Sequence, residues 1–307
     1  MTAKLRIATA ADVAETVPML LGYQPTERVA VLCLAGRRVS CTLAVEVTVS
    51  VEDIRESVHS VIDTAGVTQA IVVVYSDHAE RHVIAAALRE ELAGFVGVLD
   101  SIVVTRHTIT SLVTGDCEAR STTPSAAQVQ AVVAGLSQPA ATRDQLAARY
   151  MSNPEHVAQR QQLHRVATSS LSLETLNALK QPMSAQIAAR LGGALTEDEL
   201  TQQWVTMPMG VAHEALSLWA QVATYYSDSE PAPEADRILS LCGLCAFLAG
   251  NGVALVAVLD RFHARTRAGV MDPRIDPTRR LLDAFGRGSV SPSSFAAARE
   301  RITDDLI

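Results

Sequence analysis

Asp77, His78, Arg106 and His107 are the residues whose types and spacing could act together on a ligand. Two apolar stretches, Ala70 to Tyr75 and Ser101 to Thr105, read as strands buried on both faces. Each ends in a polar cluster, Tyr75-Ser76-Asp77-His78 in one case and Thr105-Arg106-His107 in the other. In open α/β sheets, ligands bind at the carboxyl ends of parallel strands. If the two strands are neighbours, the four side chains converge on one rim. An Arg and two His beside a helix N-terminus there suit a small anion or nucleotide-type ligand, or serve a hydrolase. The plainer alternative, which is preferred, makes Asp77 an N-cap and the others solvated loop residues.

Other arrangements are weaker. His78 and His82 are four apart with Glu80 between them, a spacing that can ligate zinc on one helical face. The order HxExH is neither HExxH nor HxxEH, so two exposed helix histidines are the better reading. Cys242 and Cys245 form a C-x-x-C inside an apolar helical run, with Gly243 between them. Redox pairs sit at a helix N-terminus after a strand, so core packing is expected instead. Cys33 and Cys41 lie on a distant hairpin with the wrong spacing to complete a zinc site. No GxGxxG, GxxxxGK[ST] or G-x-S-x-G occurs. No metal and no cofactor is expected.

The basic residues cluster late. From Asp260 to Ile302 there are nine arginines against five acids. Arg261, Arg265 and Arg267 fall at the end of a helix, where cations offset the macrodipole. Arg274, Arg279 and Arg280 are the candidates for a nucleic-acid contact, which lacks the aromatic interleaving of single-strand binders and is not favoured.

The elements that position these groups change character along the chain. Asp12 to Leu21 reads as a helix interrupted or ended near Pro18. Val29 to Leu34 and Val39 to Val47 form a hairpin. Ser50, with Asp53 as capping-box acid, starts a helix with an apolar stripe of Val51, Ile54, Val58, Val61 and Ile62, stopped by Gly66. A helix from Asp77 to about Ala93 joins the two buried strands, and Ile109 to Val113 is a further short strand. This alternation predicts a mostly parallel sheet with the hairpin added. Residues 115–125 read as a loop. Helices follow near 126–135, 142–151, 154–179, 183–191, 196–205, 209–226, 234–249, 252–267, 276–286 and 292–302, with 226–233 as an exposed linker. The expected domains are therefore 1–125, an α/β sheet domain, and 126–307, a helical region either separate or packed with the sheet as one unit.

Between Arg237 and Asp260 lie 22 residues without a charge, long enough to span a bilayer. Gly250-Asn251-Gly252 in the middle is what ends one helix and caps the next, so two soluble helices are expected and no membrane. The 307 residues, 48% hydrophobic and 19% charged, describe a globular chain able to bury a core. With 4% aromatics, that core must be mainly Ala, Val and Leu. A net charge of −7 argues against whole-surface attraction to nucleic acid or anionic lipid. Five cysteines, an odd number, and no apolar segment after Lys4 and Arg6 point to a reducing cytoplasm.

Several phrases, in order along most of the chain, resemble one family. They are Ala11-Asp12, then Val17-Pro18-Met19-Leu20-Leu21-Gly22-Tyr23-Gln24-Pro25 with Val29-Ala30-Val31-Leu32; Glu46 at the end of the second strand; Thr142-Arg143-Asp144-Gln145-Leu146; and Ala249-Gly250-Asn251-Gly252-Val253-Ala254 with Leu259-Asp260-Arg261. Together they resemble the actinobacterial family called domain of unknown function 4192. Where that family often has a Trp, paired cysteines and a proline, this chain has Ser111-Leu112 and Gly115-Asp116-Cys117, so no thiol or metal role carries over. The resemblance implies a soluble actinobacterial or actinophage protein and no activity. The sequence therefore favours a non-enzymatic interaction or regulatory protein, with an unknown protein partner or self-association, ahead of a ligand-binding or hydrolytic use of the rim.

Overall fold

In the computed structural model, residues 9–36, 38–65, 67–121, 123–133, 138–163, 166–286 and 295 are described. The chain divides into two compact units, one of Met1–Leu146 with 288–291 and one of Ala147–Arg287 with 292–307.

The first unit is built on α1 (Ala10–Leu21), β1 (Arg28–Ala35), β2 (Arg38–Glu46), α2 (Val51–Ala65), β3 (Gln69–Tyr75), α3 (Arg81–Leu92), β4 (Gly97–Val104), β5 (Thr108–Ser111), β6 (Cys117–Ala119) and α4 (Ala126–Val133). Its six strands form one sheet in the order β2-β1-β3-β4-β5-β6. The expected α/β class holds, but the sheet is mixed rather than mostly parallel, because only β3 and β4 pair in parallel. The crossover through α2 does join two strands of like direction, β2 and β3, yet β1 is inserted between them and antiparallel to both. Helical crossovers are legible in a sequence; the neighbour each strand takes is not. The turns on either side of β5 are too short for any crossover, so β4, β5 and β6 alternate in direction. Strand β6, exposed along its length, lies in the stretch expected to be a loop.

Strand alternation supplies two cores. Val29, Val31, Cys33, Val72, Val74 and Val103 face Ile54 and Val58 of α2 and Ala85, Leu88 and Leu92 of α3. Ala30, Leu32, Val73, Tyr75, Ile102 and Val104 face Val13, Ala14 and Val17 of α1. The side chains of Val61 and Ile62, and Gly66, lie outside the described residues. Ser50 and Asp53 form the expected cap, Ser50 Oγ accepting from Asp53 N at 3.1 Å.

Pro18 does not end α1. A proline inside a helix leaves the carbonyl four residues back without its donor. Here that carbonyl is Ala14 O, and the buried Tyr75 hydroxyl donates to it at 2.7 Å. Gly22, at φ 77°, closes the helix in the left-handed conformation.

The boundary falls inside α5 (Arg143–Ala148), whose last two residues open the second unit; α6 (Pro154–Gln161), α7 (Leu171–Ala178), α8 (Ala185–Ala194), α9 (Glu197–Thr206), α10 (Ala212–Ala223), α11 (Pro233–Leu248), α12 (Gly252–Arg267) and α13 (Asp276–Gly286) follow. The single helix expected over 154–179 is two, because the Ser170 hydroxyl accepts from Leu173 N and starts α7 afresh. The uncharged run is two helices as expected. Gly250, at φ 66°, terminates α11, and the Asn251 side chain caps α12 by accepting from Ala254 N at 3.0 Å. Among the described residues no helix is long and apolar enough to cross a membrane. Nearly all of α11 is buried. A Cβ at Gly243 would come within 2.5 Å of Leu282 Cδ1 of α13, so a residue without a side chain is what lets those helices meet. The helix expected at 292–302 lies outside the described residues except for Phe295.

Candidate functional site

The ends of β3 and β4 stand side by side, Tyr75 opposite Val104, and the pairing continues one step as Ser76 N donates to Val104 O at 3.1 Å. That register sets the next residues of each strand across from one another. Asp77 Oδ2 lies 2.6 Å from Arg106 Nε, and Asp77 Oδ1 accepts from Arg106 N at 3.0 Å. These bonds from Arg106, and then its charge, hold the Asp77 carboxyl below its ordinary value. Asp77 is thus not the cap of α3. That helix begins at Arg81 behind Glu80, which makes no side-chain capping bond. His78 precedes the helix and His82 lies within it, so the two histidines do not share a helical face as their spacing predicts. Among the described residues no group of three or more His, Cys, Asp or Glu could hold a metal.

Glu27 completes the rim from 50 residues away. It is a non-glycine residue in the left-handed region, at φ 50°, a conformation that costs of order 1 kcal/mol and recurs where structure serves a site. Its carboxylate accepts from Ser76 Oγ at 2.6 Å and from Asp77 N at 3.3 Å, and lies 3.3 Å from His78 Nε2. Ser76 is buried and its hydroxyl proton points into Glu27, so it is held as a donor. His107 N donates to Thr105 Oγ1 at 3.1 Å, which turns the loop and leaves its ring exposed. Arg120 closes the side, donating to Thr105 O at 3.4 Å. Glu27, Asp77, Arg106 and Arg120 line a cleft of about 180 Å³.

Of the four residues expected on the rim, Asp77 and Arg106 bond to each other and line the cleft with Glu27 and Arg120, His78 stands against Glu27, and His107 follows Arg106 with its ring exposed. No residue type or spacing near Thr26-Glu27 signals that contribution. Arg106 gives Asp77 its Nε–H, and no other side-chain bond of Arg106 is made among the described residues. Both Nη groups of a side chain 82% exposed are left as donors. A larger cleft of about 320 Å³ near the start of α1 is lined by Asp100, Asp116 and Glu118. It gathers carboxylates, and Asp100 is already bonded to Ser111 Oγ and Ser101 N, so the smaller rim is the better site.

A family described as Domain of unknown function (DUF4192) matches residues 11–266. The chain belongs to that family. Neither the curated proteins nor the solved structures contain a match to it. Every residue of the rim lies inside the part that matches DUF4192, whereas Arg274, Arg279 and Arg280 lie beyond it.

Those three arginines are held by nearby carboxylates. Arg274 pairs with Asp272 at 2.7 Å and with Glu197; Arg279 with Asp276 and Asp283, both at 2.8 Å; Arg280 with Asp276 at 2.7 Å. Arg261 and Arg265, taken from sequence as offsetting a helix dipole, are instead buried. Arg261 donates to Tyr150 O, Ala223 O and Tyr226 O at 3.0, 3.1 and 2.7 Å and pairs with Asp228. Arg265 binds the buried Asp236 and donates to Ser227 O, Glu230 O, Ala232 O and Val270 O. The segment 226–233, expected as an exposed linker, is wrapped around these two guanidinium groups. Cys242 and Cys245 are core residues, as expected from sequence. Burial pushes the Cys242 thiol up to about 12 and the Cys245 thiol well above its ordinary value.

Proposed function

We propose that this chain is a non-catalytic binding protein that takes a small oxyanion, a phosphate or carboxylate group, at the β3–β4 rim. The observation that carries the reading is the way Asp77 holds Arg106. By bonding Nε and the backbone N–H, Asp77 fixes the guanidinium while leaving its Nη edge free, the fork that matches a planar or tetrahedral oxyanion. His78 and His107 stand beside it. The hydroxyl of Ser76 is directed into Glu27 and Asp77 is bound to Arg106, which favours recognition over nucleophilic or general-base chemistry. The pairing of Arg274, Arg279 and Arg280 with carboxylates weighs against a nucleic-acid face. The five free thiols support a reducing cytoplasm, and the scarcity of lysine, with only Lys4 and Lys180 among 26 lysines and arginines, supports an actinobacterial or phage source.

Titration of the full chain with inorganic phosphate, and separately with citrate, tests this by calorimetry at low salt. Saturable binding is expected that weakens at least tenfold in Arg106→Ala and is unchanged in Arg280→Ala. Binding that ignores Arg106, or none at millimolar anion, overturns the reading.

A further inference from the structure

Cys33 of β1 and Cys41 of β2 are direct partners in the antiparallel register, immediately before a register shift. Directly opposed residues of an antiparallel pair have Cα atoms about 4.5 or 5.5 Å apart, both within the span a disulfide bridges. They also share a face: Cys33 belongs to the core under α2 and α3, and Cys41 packs against that same core. Their access differs. Cys33 is fully buried, while Cys41, on the edge strand of the sheet, is partly exposed.

We propose that Cys33 and Cys41 are a redox modification site, a dithiol that a disulfide oxidant such as glutathione disulfide converts to a cross-strand disulfide joining β1 to β2. The division of labour follows from burial and from the pairing of the two residues. Set opposite each other, the two thiols differ in acidity, Cys41 below its ordinary value through Cys33, and Cys33 above it through Cys41 and burial. Cys41 is then the attacking thiolate, and it is the one the oxidant can reach. Its sulfur attacks glutathione disulfide, forming a Cys41–glutathione bond and releasing one glutathione thiolate, which takes up the Cys33 proton. The Cys33 thiolate attacks Cys41 Sγ, forming the protein disulfide and releasing the second glutathione as a thiolate, which takes up the proton that Cys41 gave to water. The pair loses two electrons and two protons, and the oxidant leaves as two molecules of glutathione.

Arg37 and Arg38 let trypsin place the two cysteines on separate peptides, 29–37 and 39–55. Reduced full-length protein, equilibrated with glutathione disulfide, alkylated and digested without reductant, should give these peptides linked, and dithiothreitol should separate them. Cys117→Ser, which removes the exposed thiol, should leave the yield unchanged. Cys33→Ala should stop the reaction at a lasting Cys41–glutathione adduct. Recovery of both peptides singly from the oxidised wild-type protein overturns the proposal, as does a cross-link from Cys41 to another cysteine. The wild-type map decides the matter even where Cys33→Ala does not fold.

Discussion

Arg106 and Arg265 each hold a carboxylate oxygen 2.6 Å from Nε, and the two contacts serve opposite ends. At the rim the Arg106 and Asp77 side chains are 82% and 41% exposed; in the helical unit those of Arg265 and Asp236 are both 0% exposed. In water the pair is screened and its energy is small, and what it achieves is presentation of the unbonded Nη edge. In the interior every side of the Arg265 guanidinium must be matched, and backbone carbonyls of 227–232 and Val270 do so. Identical bond lengths thus say nothing about role. The number of donors left over does.

The contrast is open to direct attack. The largest effect is expected from Arg265→Ala, which strands Asp236 in the core and should cost about 3–5 kcal/mol in urea unfolding. The double variant Arg265→Met with Asp236→Leu should recover most of that loss. Arg261→Lys, whose three donors radiate from a single nitrogen and cannot reproduce the four bonds that Arg261 makes from three, should cost about 2 kcal/mol by the same assay. Asn251→Ala, removing the cap of α12, should cost about 1 kcal/mol. At the other end of the scale, Arg106→Ala should leave the unfolding midpoint where it is while abolishing anion binding. A loss of stability comparable to that of Arg265→Ala would make the rim pair structural and end the comparison. Finally, pH probes the rim pair. The folded Asp77 carboxyl lies below its ordinary value, so what it adds to stability is present above about pH 4 and is lost as pH falls through the lower folded value. Asp77→Asn should remove that acid-side dependence, seen as a slightly shallower fall of the thermal midpoint between neutral and strongly acid solution.

Sequence periodicity located the strands at 70–75 and 101–105, the caps at Ser50 and Asn251, and the break in the uncharged run, because each depends on residues close in the chain. It placed Asp77, His78, Arg106 and His107 on one rim, since adjacent parallel strands bring their ends together whatever else the sheet contains. It did not reach Glu27, whose role depends on β1 entering between β2 and β3. Nor did it show that Arg261 and Arg265, read as helix-end cations, are buried while Arg274, Arg279 and Arg280 pair with nearby carboxylates. As residue types the five are alike, and only tertiary packing shows that the first two bind the carbonyls of a distant loop. The same loop, with its Ser, Pro and acidic residues, carries the composition of a solvated linker because the contacts come mainly from its backbone carbonyls, joined by the Asp228 carboxylate.

The bond from the Tyr75 phenol to the carbonyl left open by Pro18 has a consequence for what the N-terminal helix tolerates. One inserted or deleted residue between Ala14 and Pro18 turns everything on one side of it by about 100°, so the vacated carbonyl and the phenol can no longer face each other. Substitutions along α1 are thereby graded by size and polarity, whereas changes of length are all-or-none: the helix is keyed to the sheet at a single angular setting.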